Sequence, residues 1–217
     1  MRKRNKRVIP GFGLSMGVTI AMLSCVVLIP LATLVIYSSS LGIRQFFEVI
    51  TKPRVLSSFY VSILTAFVAT VINTVMGLIL AWVLVRYKFP GKRIMDGMIE
   101  IPFALPTAVA GISLTSLTSD TGVLGSFFGH FGIKIAYTRL GIIVALIFVG
   151  IPFVVRAVQP VLEKLDGSYE EAARVMGAKR SVIFWRVVFP ELKPALFAGA
   201  GLAFGRCLGE YGSVVFI

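Results

Sequence analysis

Five apolar stretches, each near the roughly 20 residues that a helix needs to cross a bilayer, constrain this chain more than any other feature. They run from Leu14 to Tyr37, Phe59 to Val85, Ile99 to Leu117, Leu140 to Val158 and Ala195 to Ile217. A soluble core does not need so much apolar sequence: 57% of the 217 residues are hydrophobic, only 15% are charged, and mean hydropathy is +0.89. The expected fold is an all-α, polytopic membrane helix bundle with about five crossings, spanning residues 1–217 as a single domain. Arg2, Lys3, Arg4, Lys6 and Arg7 precede the first stretch, as they would a secretory signal. Its apolar run is too long for a signal h-region and has no obvious cleavage site, so it reads as a retained anchor.

Lys and Arg collect on cytoplasmic flanks. The N-terminal tail holds five, the second loop four (Arg86, Lys88, Lys92, Arg93) and the fourth loop seven (Arg156, Lys164, Arg174, Lys179, Arg180, Arg186, Lys193). The other two loops hold three and two. The N-terminus and the fourth loop are therefore expected in the cytoplasm. The net charge of +12 then needs no nucleic-acid partner, because the basic residues serve topology and anionic membrane lipid. Cys25 and Cys207 lie in apolar runs without a Cys-x-x-Cys pair, which supports neither a disulfide framework nor a thiolate metal site.

The fourth loop, about 160–194, contains the chain's densest charge, "GSYEEAARVMGAKRSVIFWRVVFPELKP" (Gly167 to Pro194). Ser168 and Glu171 spell an S-x-x-E capping box, which predicts a helix start. Tyr169, Ala172, Ala173 and Met176 fall on one apolar face, and Glu170 and Arg174 are spaced to pair at i, i+4 on the other. Gly177 is placed to stop the helix as a left-handed cap. A second short helix is predicted from Ser181 to about Val188, with Pro190 and Pro194 punctuating its exit. Such an amphipathic pair suits either lipid headgroups or a protein partner; the adjacent alanines favour a close-fitting protein.

The spacing E-A-A-x3-G-x9-hydrophobic-x-hydrophobic-P, met by Glu171, Ala172, Ala173, Gly177, Val187, Phe189 and Pro190, resembles the EAA loop of ABC importer permeases. Val187 and Phe189 stand for the usual Ile and Leu. "FPGKRIMDGMIEIPFALPTAVAGISL" (Phe89 to Leu114), "IPFVVRAVQPVLEKL" (Ile151 to Leu165) and "LGEYG" (Leu208 to Gly212) are similar to the sulfate/thiosulfate permease subunits, and the likeness runs over nearly the whole chain. Molybdate permeases share parts of it. The resemblance implies an ABC importer permease in a bacterial-type inner membrane, carrying sulfate or thiosulfate beside a second, similar permease subunit. It also implies that the helix pair, with Glu170 beside the motif, docks on separate ATPase subunits and transmits their motion. An extracytoplasmic solute-binding protein would meet the glycine-rich external loop around His130. The chain has no G-x-x-x-x-G-K-[ST] phosphate loop, so ATP and magnesium are expected in the partner ATPase and no cofactor in this chain. The resembling permeases continue through a further helix, which leaves open a C-terminal truncation at Ile217.

Candidates for a translocation route are few. Arg206 and Glu210 share one helix face at i, i+4, and Arg206 lies about 16 Å along the helix from Ala195 at 1.5 Å per residue, about mid-bilayer. They are either an ion pair holding helices together or a source of positive potential for an anion, with Glu210 positioning or gating it. Pro102 and Pro106 open the third stretch; one suits a first turn and the other must kink or delay the helix. Thr107, Ser113 and Thr115 supply hydroxyls that would line a route or bond back to their own helix. Gly111 reads as close packing, Asn73 as an interhelical hydrogen bond or a substrate contact, and Arg156 and Gln159 as a snorkelling boundary. His130 has no second His or nearby Cys with which to build a metal site. Competing functions are a molybdate or other oxyanion permease, a non-transporting membrane scaffold and, with least support, an intramembrane enzyme.

Overall fold

A computed structural model describes residues 11–40 and 42–217; the basic residues Arg2, Lys3, Arg4, Lys6 and Arg7 lie outside the described residues. Every regular element among the described residues is helical. The chain divides into two compact units, Met1–Ser58 and Phe59–Ile217. In the first, α1 (Phe12–Ser39) is one apolar helix of 28 residues, long enough to span a membrane. It contains a π-turn at Ser24–Leu28, where the Ile29 N–H reaches back five residues to Ser24 O. Pro30 follows two residues later. The wider turn makes room for a proline ring that would otherwise press on the carbonyl four residues earlier. A short helix, α2 (Ile43–Ile50), follows; the sequence reading treated it as loop.

The second unit is built around α3 (Pro53–Arg86), whose first residues lie before the division, α7 (Arg139–Lys164) and α9 (Arg180–Leu208). Between them come α4 (Lys92–Ala104), α5 (Thr107–Thr118), α6 (Val123–Gly129) and α8 (Gly167–Val175). Lipid tails give membrane helices no hydrophobic reason to associate, so close approach at small residues must bring them together. Gly77 of α3 faces Val154 of α7, and Gly199 of α9 faces Ala157 and Val154. Ala81, Leu84, Val155, Val158, Leu162, Val188, Leu192 and Ala203 complete this core.

Two predicted spans are corrected. The stretch Ile99 to Leu117 is not one helix: α4 and α5 meet at 116°. Pro102 sits inside α4 and Pro106 caps α5, while Leu105 between them is extended, with ψ 136, as the residue before a proline must be. The last helix neither starts at Ala195 nor reaches Ile217. It begins at Arg180, passes Pro190 through a second π-turn at Phe184–Val188, and ends at Leu208. The proline again follows two residues after the wide turn, so the predicted separate helix of Ser181 to Val188 is the first part of α9.

Replacing Gly77 by alanine puts a Cβ 2.7 Å from Val154 Cβ and Cγ1, whereas a Cβ at Gly201 meets nothing within 4 Å. Gly77→Ala is expected to destabilise the α3–α7 contact by about 1–3 kcal/mol and Gly201→Ala to be neutral. Melting in detergent, followed by loss of the monodisperse peak, distinguishes the two.

Candidate coupling surface and membrane-interior site

α8 is a short helix held at both ends. At its start Asp166, in extended backbone, accepts the Ser168 N–H through Oδ1 at 3.0 Å. The cap is thus Asp166, and the predicted Ser168–Glu171 capping box does not form: Ser168 lies inside the helix, because Leu165 and Asp166 turn the chain two residues earlier. Hydrogen bonds from the Ser168 backbone and hydroxyl hold the Asp166 carboxyl below its ordinary value of 3.8. A lowered carboxylate pKa means that the cap is fully present at neutral pH and is lost only as pH falls through that lowered value. At its end Gly177 adopts φ +80. The Ala178 N–H bonds Ala173 O at 3.0 Å and the Gly177 N–H bonds Arg174 O at 3.0 Å, the two bonds of a Schellman cap.

Glu170 pairs with Arg86 at the end of α3, not with Arg174 as the spacing suggested. Arg86 also stacks 5.5 Å over Trp82, whose ring meets Phe184 edge-on at 5.3 Å. This contact turns one side of α8 toward the helical body: Gly167, Glu170 and Ala173 are half-buried. Glu171, Ala172, Val175 and Met176 face outward, with Val175 89% and Met176 87% exposed. The predicted apolar face is therefore rotated, since Ala173 leaves it and Val175 joins it. Between α8 and the first turns of α9 lies a groove of about 320 Å³ that includes Ala173, Met176, Gly177, Val182 and Val187. Phe189 packs beside Trp185, at 4.8 Å between ring centres, and Pro190 is exposed.

The membrane-interior candidates fall into two places. Arg206, in the last turn of α9, forms an ion pair with Glu210, its Nη1 2.6 Å from Oε2. Glu210 Oε1 accepts the Ser213 N–H at 2.8 Å and the Ser213 hydroxyl at 2.9 Å. The Glu210 side chain is 1% exposed and the Arg206 side chain 33%. Both carboxylate oxygens are thus engaged, while the guanidinium remains partly exposed. Residues 209–217 leave the helix and lie along α5. Gly212 sits against Thr107, Gly111 against the Ser213 backbone, and Thr115 Oγ1 lies 2.7 Å from Phe216 O and 2.8 Å from Gly111 O. Ser113 is exposed on the same helix. Asn73 lies elsewhere: it is fully buried between α3 and α7, donating to Leu146 O at 3.4 Å.

Two residues have larger parts than the sequence suggested. Arg156 does more than snorkel. It donates to Asp96 Oδ1 at 2.9 Å, Glu100 Oε1 at 2.7 Å and Gln159 Oε1 at 2.7 Å, fastening α4 to α7. Asp96 and Glu100 at i, i+4 were the available signal. Arg86 was read as a topology charge alone, and its partner, 84 residues away, left no local trace.

Residues 73–217 match the family model described as "Binding-protein-dependent transport system inner membrane component". The chain is 51% identical over 213 residues to the "Sulfate transport system permease protein CysT" of Salmonella typhimurium, covering 98% of this chain and 77% of that protein. The protein of the same name from Escherichia coli is 51% identical over 213 residues, with the same coverage. That of Synechocystis is 50% identical over 200 residues, 92% of this chain and 70% of that protein.

The Arg86–Glu170 tie yields a charge-swap prediction. Arg86→Glu or Glu170→Arg alone is expected to release α8, raising hydrogen exchange across 167–175 several-fold. The double exchange should restore most of the protection, as for any pair whose charges matter more than their identities.

Proposed function

The chain belongs to the binding-protein-dependent transport system inner membrane component family, and from that premise we propose that it is the permease subunit of an ATP-driven sulfate/thiosulfate importer. The relatives named for sulfate transport support the cargo. The observation that carries the mechanism is α8 itself: a capped helix that exposes Val175 and Met176 outside the apolar spans. That surface is the docking site for an ATPase subunit, with Glu171 and Ala172 at its centre. The N-terminus and α8 face the cytoplasm of a bacterial-type inner membrane, a reading that the basic loops support.

Energy has to come from outside the chain. Moving a dianion inward against a negative interior costs about 2.3 kcal/mol per charge per 100 mV, or roughly 4–5 kcal/mol for sulfate. Closure of two ATPase subunits on ATP and magnesium pulls α8 of this chain and its counterpart in a second permease. Because α8 is joined to α7 through Leu165 and Asp166, to α9 through the Gly177 cap, and to α3 through Arg86, three membrane helices move with it. The cavity opens outward, a solute-binding protein delivers the anion, and hydrolysis resets the assembly. Arg206, with Glu210 holding one edge of its guanidinium, offers the oxyanion positive potential and free N–H donors. Thr107 and Thr115, beside the 209–217 segment, set the wall of that route.

Two outcomes are expected when the chain is coexpressed with a second permease, the ATPase and the binding protein, and labelled-sulfate uptake into vesicles is measured with molybdate as competitor. Val175→Asp should lower uptake at least about ten-fold while leaving the chain in the membrane, since an ionised carboxylate in an apolar docking pocket costs well over one decade in affinity. Arg206→Ala should abolish uptake while the ATPase still copurifies. Normal uptake in either variant removes the corresponding assignment.

A further inference from the structure

A cavity lies between the end of α3, α8 and the start of α9, lined by residues apart from the Arg206 region. Its volume is about 310 Å³, and it is partly open to its surroundings. Its walls carry three guanidiniums, Arg86, Arg174 and Arg180, and one carboxylate, Glu170, an excess of two positive charges. That carboxylate is already committed to Arg86. Arg174 and Arg180 have no acidic partner within 4 Å among the described residues, and Arg86 Nε is buried without an acceptor. Folded proteins pair buried donors such as Arg86 Nε, and exposed Arg174 and Arg180 line the same cavity with their charges unpaired; several arginines around one cavity with a single committed carboxylate suit a tetrahedral oxyanion held by forked, charge-assisted hydrogen bonds. Trp82 forms part of the same wall.

We propose that this cavity binds a phosphate- or sulfate-type oxyanion bridging Arg174, Arg180 and Arg86, and so locks α8 to the end of α3. The group is either the phosphate of an anionic lipid headgroup or a free oxyanion from the aqueous phase. The site differs from the Arg206 region in residues and in elements, and its occupancy does not depend on whether the chain transports sulfate.

The test uses the full chain in nanodiscs with Trp185→Phe, which leaves Trp82 as the single tryptophan. In phosphatidylcholine discs, inorganic phosphate and sulfate are titrated against chloride at equal ionic strength while Trp82 emission is read. In discs containing phosphatidylglycerol without added oxyanion, Trp82 emission and hydrogen exchange over 167–175 are read. A free-oxyanion source gives a saturable emission change in the first arm. A lipid source gives the same emission change and several-fold slower exchange in the second arm, with no further response to phosphate. In either case R174Q/R180Q weakens the response at least about ten-fold, since each lost charge-assisted bond is worth that much or more. R174K/R180K keeps a weaker saturable response, which guards against a Gln variant that fails to fold, and K179Q, outside the cavity, leaves it unchanged. No response from the parent chain in either arm, or an undiminished response in R174Q/R180Q, overturns the proposal.

Discussion

The hydrocarbon core offers no hydrogen bonds, so each backbone N–H and carbonyl that enters it must be satisfied by the protein. That single constraint explains where this chain is regular and where it is allowed not to be. Four long helices bond internally, and two of them pass a proline by widening one turn. Among the described residues, helix gives way to irregular backbone along the spans between Ala104 and Thr107 and after Leu208. These two irregular stretches are neighbours. Gly212 lies on Thr107, Ser213 on Gly111 and Phe216 on Thr115, so each covers backbone that the other would leave bare. Glycine at 111 and 212 is what lets the two backbones approach. Arg206 and Glu210 lie at this junction, where the ion pair and the Ser213 bonds supply partners for charge inside the spans.

The same economy keeps α8 from being a loose loop. Two residues join it to α7, a Schellman cap turns it into α9, and an ion pair ties its middle to α3. A force applied at Val175 has no slack segment in which to dissipate. The exposed apolar face would be a liability on an isolated membrane protein, and it becomes intelligible as one half of an interface.

Much of this was legible in the sequence, for physical reasons that differ by residue. The spans announce themselves because bilayer thickness sets a length that apolar runs must meet. Gly177 was readable because a left-handed cap has few other solutions. Local rules failed where a longer-range interaction outbid them. Glu170 is spaced to pair with Arg174, yet a guanidinium 84 residues away takes it. Ser168 fits a capping box, but the extended backbone of Leu165 and Asp166 starts the helix two residues earlier. Pro190 looked like a terminator, and the π-turn before it keeps the helix running. Arg156 looked like a boundary residue because nothing in its own helix reveals that Asp96 and Glu100 face it.

The central claim is that motion enters this chain through the outward face of α8. Single-cysteine variants A172C, V175C and A173C, in a background with Cys25 and Cys207 replaced by alanine, can be crosslinked in vesicles actively importing sulfate. The account predicts capture of the ATPase subunit from 172 and 175, and markedly less from 173, which faces the body of the protein. Capture strongest from 173, or none from any of the three while import proceeds, would contradict it.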